Sequence, residues 1–454
     1  MCQETISGCK SFEKKSRNFK IKRNKIYVFL FLRVFATCLY QKMNPLHQGI
    51  KWQQEARSIS DRLWDVVIVG AGPAGAIAAA HLAASHQRVL LLDRKKFPRE
   101  KVCGDGLLPD ALRCLDAIGV GAIVRAAGHK ISTSVLVSPS RNEVEIPGEY
   151  LTIKRLLLDM IVAQKAVEMG AVFACGEVKQ LAVEPDGRVS FTIQESEKKF
   201  RARIGIVATG VNIRLLCKLN RAARKKPSGV GLRCYVRSSF VLDRLVLAAI
   251  RDNRHTVPGY GWIFPMRDHE YNVGCGILTP DRVRKSSINL KKKFEEFIDS
   301  FPLARELMQQ SDRTIALRAA ALRSNFEGCY PFVNGPIVAV GETIGTTLPF
   351  LGEGIGKAME SGQRAAEAVS AALDSDDLRK LIPYGQYMES ELKPRYKGYR
   401  MAEKWLARPW LNDFLLARFG KNKFAKDILA GIVAETRNPL ELFSLKGILK
   451  TFWN

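Results

Sequence analysis

The first residues able to do chemistry lie in DVVIVGAGPAGAIAAAHLAASHQRVLLLD, residues 65–93. Gly70, Gly72 and Gly75 stand there in GxGxxG spacing, between a continuous apolar run and an alanine-rich segment. An apolar run without alternation predicts a parallel strand buried on both faces. Gly70 then permits a tight turn, Gly72 lets the backbone approach a pyrophosphate, and Gly75 lets the helix pack close to the sheet. The phosphates would face the helix N-terminus, so Ala71, Pro73 and Ala74 belong to the same binding loop. RVLLLD predicts a second buried strand ending in Asp93, placed to take ribose hydroxyls, with Arg94 beside it. A glycine-rich loop alone is a weak signal, but strand, loop, helix, strand and terminal acid together point to a dinucleotide. This unit does not separate NAD from FAD.

The rest of the chain does. No second complete GxGxxG occurs among the 454 residues. Far downstream, GPIVAVGETIGTTLPFLGEGIGKAMESGQRAAEAV (335–369) reads as a strand, a polar turn, a glycine-rich loop and a helix. A nucleotide domain whose halves lie that far apart must be discontinuous, an arrangement of flavoproteins. The fold class expected is α/β, a discontinuous Rossmann-like FAD-binding domain with an inserted β-rich substrate domain and a C-terminal helical region. The expected boundaries are a basic and apolar extension over 1–60, the FAD domain over 61–113, 150–210 and 325–375, the substrate domain over 114–149 and 211–324, and helices over 376–454.

A cysteine sits in the loop that leaves the first unit, in KKFPREKVCGDGLLPDAL (95–112). Cys103 could be a metal ligand, a redox thiol, a nucleophile or a small side chain filling space. The ten cysteines are scattered singly, without CxxC or zinc-like Cys/His spacing, so no metal site is expected. Unpaired thiols in a long chain suit a reducing compartment such as the cytoplasm. The formal charge of +26 accompanies no finger, homeodomain or RNA-module signature, so the expected partners are anionic membranes or phosphorylated substrates, not nucleic acid. Near the start, KKSRNFKIKRNK precedes IYVFLFLRVFATCLY, an apolar run of fifteen residues broken by Arg33. That is short for a bilayer span of about 20 residues and fits an N-terminal anchor or interfacial helix. Alternatively Met43 is the natural start.

The segments GAGPAG, KVCGDGLLPDAL, PGYGWIFP and VGETIGTTLPFLGEGIGKAMESG occur in an order and at intervals similar to those of the geranylgeranyl reductase family. These are FAD-dependent reductases in the larger group typified by p-hydroxybenzoate hydroxylase. The resemblance spans about residues 64–370. YGWIFP fits the reductase pattern YxWxFP, and Tyr260 and Phe264 replace the tryptophan and isoleucine that related halogenases carry. The resemblance implies that the loop from Gly341 to Ile355, with Gly352 and Gly354, lies at the flavin pyrimidine end. It implies that Glu342 binds pyrophosphate or ribityl oxygens, and that Arg155 reaches the flavin from a helix start. Cys103 and Gly104 would pass the flavin ring on its substrate side, where a protonated thiol could donate. Two positions depart from the family pattern: Glu342 stands for the usual Asp, and VATG with Thr209 for the usual ADG. Both bear on turnover more than on flavin binding.

In the inserted segment, GVGLRCYVR, GWIFPM and YNVGCGIL predict strands. Tyr260, Trp262 and Phe264 on one strand could wall an elongated apolar pocket, and Tyr260 and Trp262 join Cys103 as candidate catalytic residues. After residue 375, Tyr, Trp and Phe interleave with Lys and Arg in a helical pattern, either a cap over the cavity or a surface resting on a membrane. The reaction implied is reduction of an isolated prenyl C=C bond, on a prenyl lipid or prenyl diphosphate. NADPH or a ferredoxin-like electron-carrier protein would supply the electrons. An FAD monooxygenase acting on an aromatic or polyketide substrate, and a non-catalytic flavin- or lipid-binding protein, are the alternatives.

Overall fold

The computed structural model describes residues 52–194, 196, 198–223, 226–249, 259–278 and 289–453. The basic and apolar stretches at 14–40 lie outside the described residues.

The first strand, β1 (Leu63–Val69), is the apolar run before Gly70, buried on both faces as its lack of alternation predicts. Helix α1 (Pro73–Ala84) follows with proline at its first turn, and then β2 (Val89–Asp93). Helix α2 (Pro109–Ala117) leads to the long antiparallel pair β3 (His129–Val137) and β4 (Glu143–Thr152). Helix α3 (Arg155–Glu168), β5 (Val172–Cys175) and β6 (Lys199–Val207) return the chain to the first sheet. The inserted region supplies β7 (Gly229–Ser238), β8 (Leu245–Ala249), β9 (Gly259–Pro265), β10 (Glu270–Leu278) and helix α4 (Leu290–Ser300). Strand β11 (Ile337–Ala339) and the long helix α5 (Ile355–Ser375) complete the nucleotide domain. Helices α6 (Lys393–Leu406), α7 (Pro409–Phe419), α8 (Lys423–Val433) and α9 (Leu445–Trp453) follow.

The parallel core of the first sheet runs β5-β2-β1-β6-β11. Its register aligns Val69 with Leu92 and Val207, and Val207 with Ala339. The carboxyl ends of neighbouring strands are therefore flush and open a shared crevice, where α/β sheets bind ligands. Gln54–Glu55 adds a parallel edge strand beside β5, with Ala56 and Ile59 buried. The extension placed at 1–60 on the sequence thus gives up residues 52–60 to the nucleotide domain, because short edge pairing leaves almost no periodic signal. Gly106–Leu107, counted with that domain, instead pairs with β4 in the second sheet.

The second sheet runs β7-β10-β9-β8-β3-β4. Ile263, Val273 and Cys275 face α4, whose Phe294 and Phe297 they bury. Gly261 allows this contact, since a Cβ there would lie 2.4 Å from the Phe297 ring. Helix α4 starts at Asn289, whose side chain accepts from the Lys292 N–H at 3.1 Å. With period two, the alternate residues Tyr260, Trp262 and Phe264 point to the other face, toward the crevice.

Candidate functional site

One cavity of about 690 Å³ runs from the strand ends of the first sheet, along the face of the second, to the inner sides of α7 and α8. At its nucleotide end Gly70 has φ +109°, and a Cβ on it would lie 2.2 Å from the Ala208 carbonyl oxygen. Gly75 fits only as glycine, its Cβ position being 1.9 Å from the Gly70 oxygen. Gly72 differs: an added Cβ would meet only the tip of Arg99, at 3.9 Å, and would project into the cavity. Gly70, Gly72, Pro73 and Ala74 line the wall. Ala71 and Gly75 do not, and act from behind it.

The Ala71 N–H donates to Asp93 Oδ2 at 3.1 Å, which fixes the loop to the end of β2. Asp93 also accepts from the Lys95 N–H and from Arg99 at 3.2 Å, so the carboxylate expected to take ribose hydroxyls lines the cavity and organises the loop beside it. Arg99 reaches on to Asp159 at 3.0 Å, and Asp159 takes a bidentate pair from Arg155 at 2.7 and 2.9 Å. Arg155 is therefore buried and lines the cavity; it is not a solvated helix arginine. Arg94 lies exposed at the rim.

Cys103 and Gly104 line the middle of the cavity. The loop holding them is fastened to the second sheet by Asn272, which donates to the Cys103 carbonyl at 2.8 Å and to Asp105 Oδ2 at 2.9 Å. Asn272 also accepts from Trp262 Nε1 at 2.9 Å. Asp105, in the left-handed region at φ +64°, takes the Tyr235 hydroxyl and the Arg155 N–H as well. Burial pushes the Cys103 thiol up, with the Arg155 guanidinium opposing, so it carries its proton at neutral pH. The Trp262 indole lies across Gly274, where a Cβ would approach to 2.2 Å. Phe264 covers Gly104, with 3.2 Å from its ring to a notional Cβ.

The second glycine-rich segment meets the first through close helix packing. A Cβ on Gly362 of α5 would lie 2.2 Å from the Ala74 oxygen, and one on Gly341 would lie 2.7 Å from Ala74 Cβ. Glu342, Gly352, Gly354 and Ile355 then line the cavity opposite α1. Glu342 accepts from the Arg323 N–H at 3.3 Å, with Lys101 Nζ 3.8 Å from its other oxygen. The Tyr260 hydroxyl donates to the Leu351 carbonyl, joining the second sheet to this loop. Thr209 is spent locally, its hydroxyl donating to the Asn212 carbonyl.

Sequence reasoning missed Glu353. Its Oε1 accepts from the Gly356 N–H at 2.8 Å, while Oε2 is buried without a hydrogen-bond partner and the residue lines the cavity. Burial, followed by the nearby Asp110 carboxylate, pushes its carboxyl up to about 8. Behind it Lys357, almost fully buried, holds Glu360 at 2.7 Å, Glu435 at 3.0 Å and Asp110 at 3.4 Å. The signal was the lone acid between Gly352 and Gly354, an expensive residue to place in a loop otherwise built for close approach. Among the described residues no group of three or more His, Cys, Asp and Glu is placed to hold a metal, and Cys103 forms no disulfide.

The residues fit FAD. A helix N-terminus with an open Cβ position at Gly72 faces the cavity, and the buried Nε of Arg99 beside it has no partner.

A protein-family model described as lycopene cyclase protein matches residues 65–406. A menaquinone reductase of Mycobacterium tuberculosis is 33% identical over 356 residues, covering 75% of this chain and 82% of that protein. Digeranylgeranylglycerophospholipid reductase 1 of Methanopyrus kandleri is 27% identical over 399 residues, covering 86% and 99%. Among solved structures, a geranylgeranyl bacteriochlorophyll reductase-like protein of Thermoplasma acidophilum superposes with a TM-score of 0.69 at 20% identity, over 86% of this chain and 96% of that one. A flavin-dependent brominase gives the same TM-score at 19% identity, covering 86% and 98%. At those identities the structures attest the fold alone. The dinucleotide crevice, the second glycine-rich loop closing on it and the relatives in sequence agree: the chain is an FAD-dependent oxidoreductase of the geranylgeranyl reductase family.

Proposed function

We propose that the protein reduces isolated C=C bonds in the prenyl chain of a lipid or prenyl diphosphate. The observation that carries this reading is the continuity of the cavity. It leaves the nucleotide end, passes Cys103 between Tyr260, Trp262 and Phe264, and ends among Leu416, Leu429, Ile432, Val433 and Phe443. An elongated slot with apolar walls suits a long hydrocarbon chain and holds water away from it. The names of the relatives support the same substrate class, since menaquinone and digeranylgeranylglycerophospholipid both carry isoprenoid chains.

FAD, when bound and reduced, would supply hydride from N5, with electrons drawn from NADPH or a ferredoxin-like carrier; the +26 charge favours an acidic carrier. The polypeptide aligns the alkene and gives a proton to the second carbon as hydride reaches the first, so the bond gains two hydrogens. Cys103 is a protonated thiol on the cavity wall, and Tyr260 is held protonated by its burial. Glu353 adds a carboxyl that is neutral below about pH 8 and can donate. Arg155 and Glu342 would hold the cofactor's polar parts, with Trp262 and Phe264 as wall. The enzyme would work in the cytoplasm against a membrane surface that contains its substrate.

The test is mass spectrometry of a geranylgeranyl lipid incubated with the purified flavoprotein and a chemical reductant. Product heavier by one hydrogen pair per reduced bond is expected. Oxygen uptake with an oxygenated product and no saturated chain would overturn the reading in favour of a monooxygenase.

A further inference from the structure

Helices α7 and α9 each have two distinct faces. On α7, Asn412 and Leu416 turn inward and line the cavity, while Trp410 is 67% exposed and Phe414 about half exposed. On α9, Gly447 and Thr451 turn inward, and Gly447 sits so close to Glu441 that a Cβ would meet its carbonyl oxygen at 2.3 Å. Leu445, Leu449, Phe452 and Trp453 form an outward stripe at helical spacing, with Leu445 78% and Trp453 87% exposed. The Phe414 and Phe452 rings stack at 6.2 Å between centroids, which joins the two stripes into one ridge.

Contiguous exposed apolar surface on a folded chain marks an interaction site. The charges around this ridge indicate what it meets. Lys446 and Lys450 stand exposed on α9 within the same turns as the apolar stripe, Arg418 lies over the Phe452 ring, and Lys421 and Lys423 are exposed at the turn between α7 and α8. The acid nearest on α7, Asp413, is occupied by Ser138 and Ser140. Pairing two copies through this ridge would bring their lysines together. A bilayer with anionic head groups would instead accept the tryptophans at its interface, the leucines and phenylalanines just below it, and the lysines at phosphate level.

We propose that the outer faces of α7 and α9 dock this protein onto the surface of an anionic lipid bilayer. Membrane contact belongs to the function proposed above, and this surface deepens that reading: α7, which would touch lipid with one face, lines the cavity with the other. Docking itself needs no turnover and is read separately.

The test is flotation of the full-length, FAD-loaded protein with phosphatidylcholine vesicles, with and without phosphatidylglycerol. The wild type is expected to float with the anionic vesicles. Replacing Leu445, Leu449, Phe452 and Trp453 together by serine should weaken that binding about tenfold or more, while turnover of a detergent-dispersed prenyl substrate stays unchanged. Lys446→Glu with Lys450→Glu, both exposed on α9, should remove the preference for anionic vesicles. Leu378→Ser with Ile382→Ser, exposed apolar residues away from the ridge, should change nothing. The proposal is overturned if the fourfold variant floats like wild type, if the Leu378/Ile382 control loses as much, or if the charge reversal leaves the lipid preference intact. A dimer in solution that the fourfold variant dissociates, without vesicle binding by the wild type, would assign the ridge to a second copy and also overturn it.

Discussion

Gly72→Val separates cofactor binding from folding more cleanly than any other change at this site. Gly72 is the N-cap of α1, at φ −76° and ψ −174°, an extended conformation open to any residue. A Cβ there meets nothing in the protein nearer than the flexible end of Arg99, at 3.9 Å. The fold therefore loses only the capping preference of glycine over valine, about 1 kcal/mol. The isopropyl group instead enters the space that the pyrophosphate must occupy against the first turn of α1. Forcing a bound group past such an overlap costs about 1–3 kcal/mol, and each 1.4 kcal/mol is tenfold in affinity. FAD binding should weaken by about fivefold to somewhat more than a hundredfold, with Tm lowered by only a few degrees. The assay is titration of deflavinated protein with FAD, followed by visible absorbance, beside a thermal melt of the apo form. Gly75→Ala serves as the contrast: its methyl would lie 1.9 Å from the Gly70 oxygen, so that variant should lose fold and flavin together. Wild-type FAD affinity in the Gly72→Val protein, or a collapse of its Tm to that of Gly75→Ala, would refute the assignment of the phosphate cradle.

Turnover should fall as pH rises through about 8, where the Glu353 carboxyl gives up its proton, and Glu353→Gln should remove that limb of the pH profile along with most of the activity. Because the folded protein keeps that proton above the pKa of the unfolded chain, stability should decline as pH rises toward 8; equilibrium denaturation of Glu353→Gln should show a flatter dependence. Asn272→Leu should cost about 2–3 kcal/mol in urea denaturation, since it strands Trp262 Nε1 and the Cys103 carbonyl in a buried site and removes one of the two donors to Asp105 Oδ2. Lys357→Met should cost about 3–5 kcal/mol, because Asp110, Glu360 and Glu435 lose their common cation; adding Glu435→Gln should recover part of the loss in a thermal melt.

The nucleotide half was legible because its signals are local. The Gly70–Asp93 unit announces strand, turn and helix within one short stretch, and the structure puts its glycines where their φ or their neighbours demand them. The period-two run of Tyr260, Trp262 and Phe264 likewise gave the face on which those side chains lie. What the sequence hid depends on pairing between distant segments. Asn272 reads as one polar residue in an apolar strand until the β9–β10 register sets it opposite Phe264, under the Cys103 loop. Arg99 and Asp159 have no visible relation before α3 crosses the end of β2. Glu353 was passed over because a glycine-rich loop draws attention to its glycines, and its raised pKa arises from burial that only the assembled fold creates. The edge strand at Gln54–Glu55 is too short for any periodic pattern to mark it.

Glu435 lies far along the chain from the dinucleotide loop, yet its carboxylate grips Lys357 on the helix that closes that loop, and it takes the Tyr399 hydroxyl as well. Anyone building chimeras with relatives, to trade one lipid specificity for another, meets a constraint here. An exchange point placed between α5 and α8 would import a foreign tail without its matching acid and leave the buried ammonium one carboxylate short. Swaps should therefore carry Lys357, Tyr399 and Glu435 as one inherited block, whichever parent supplies the rest.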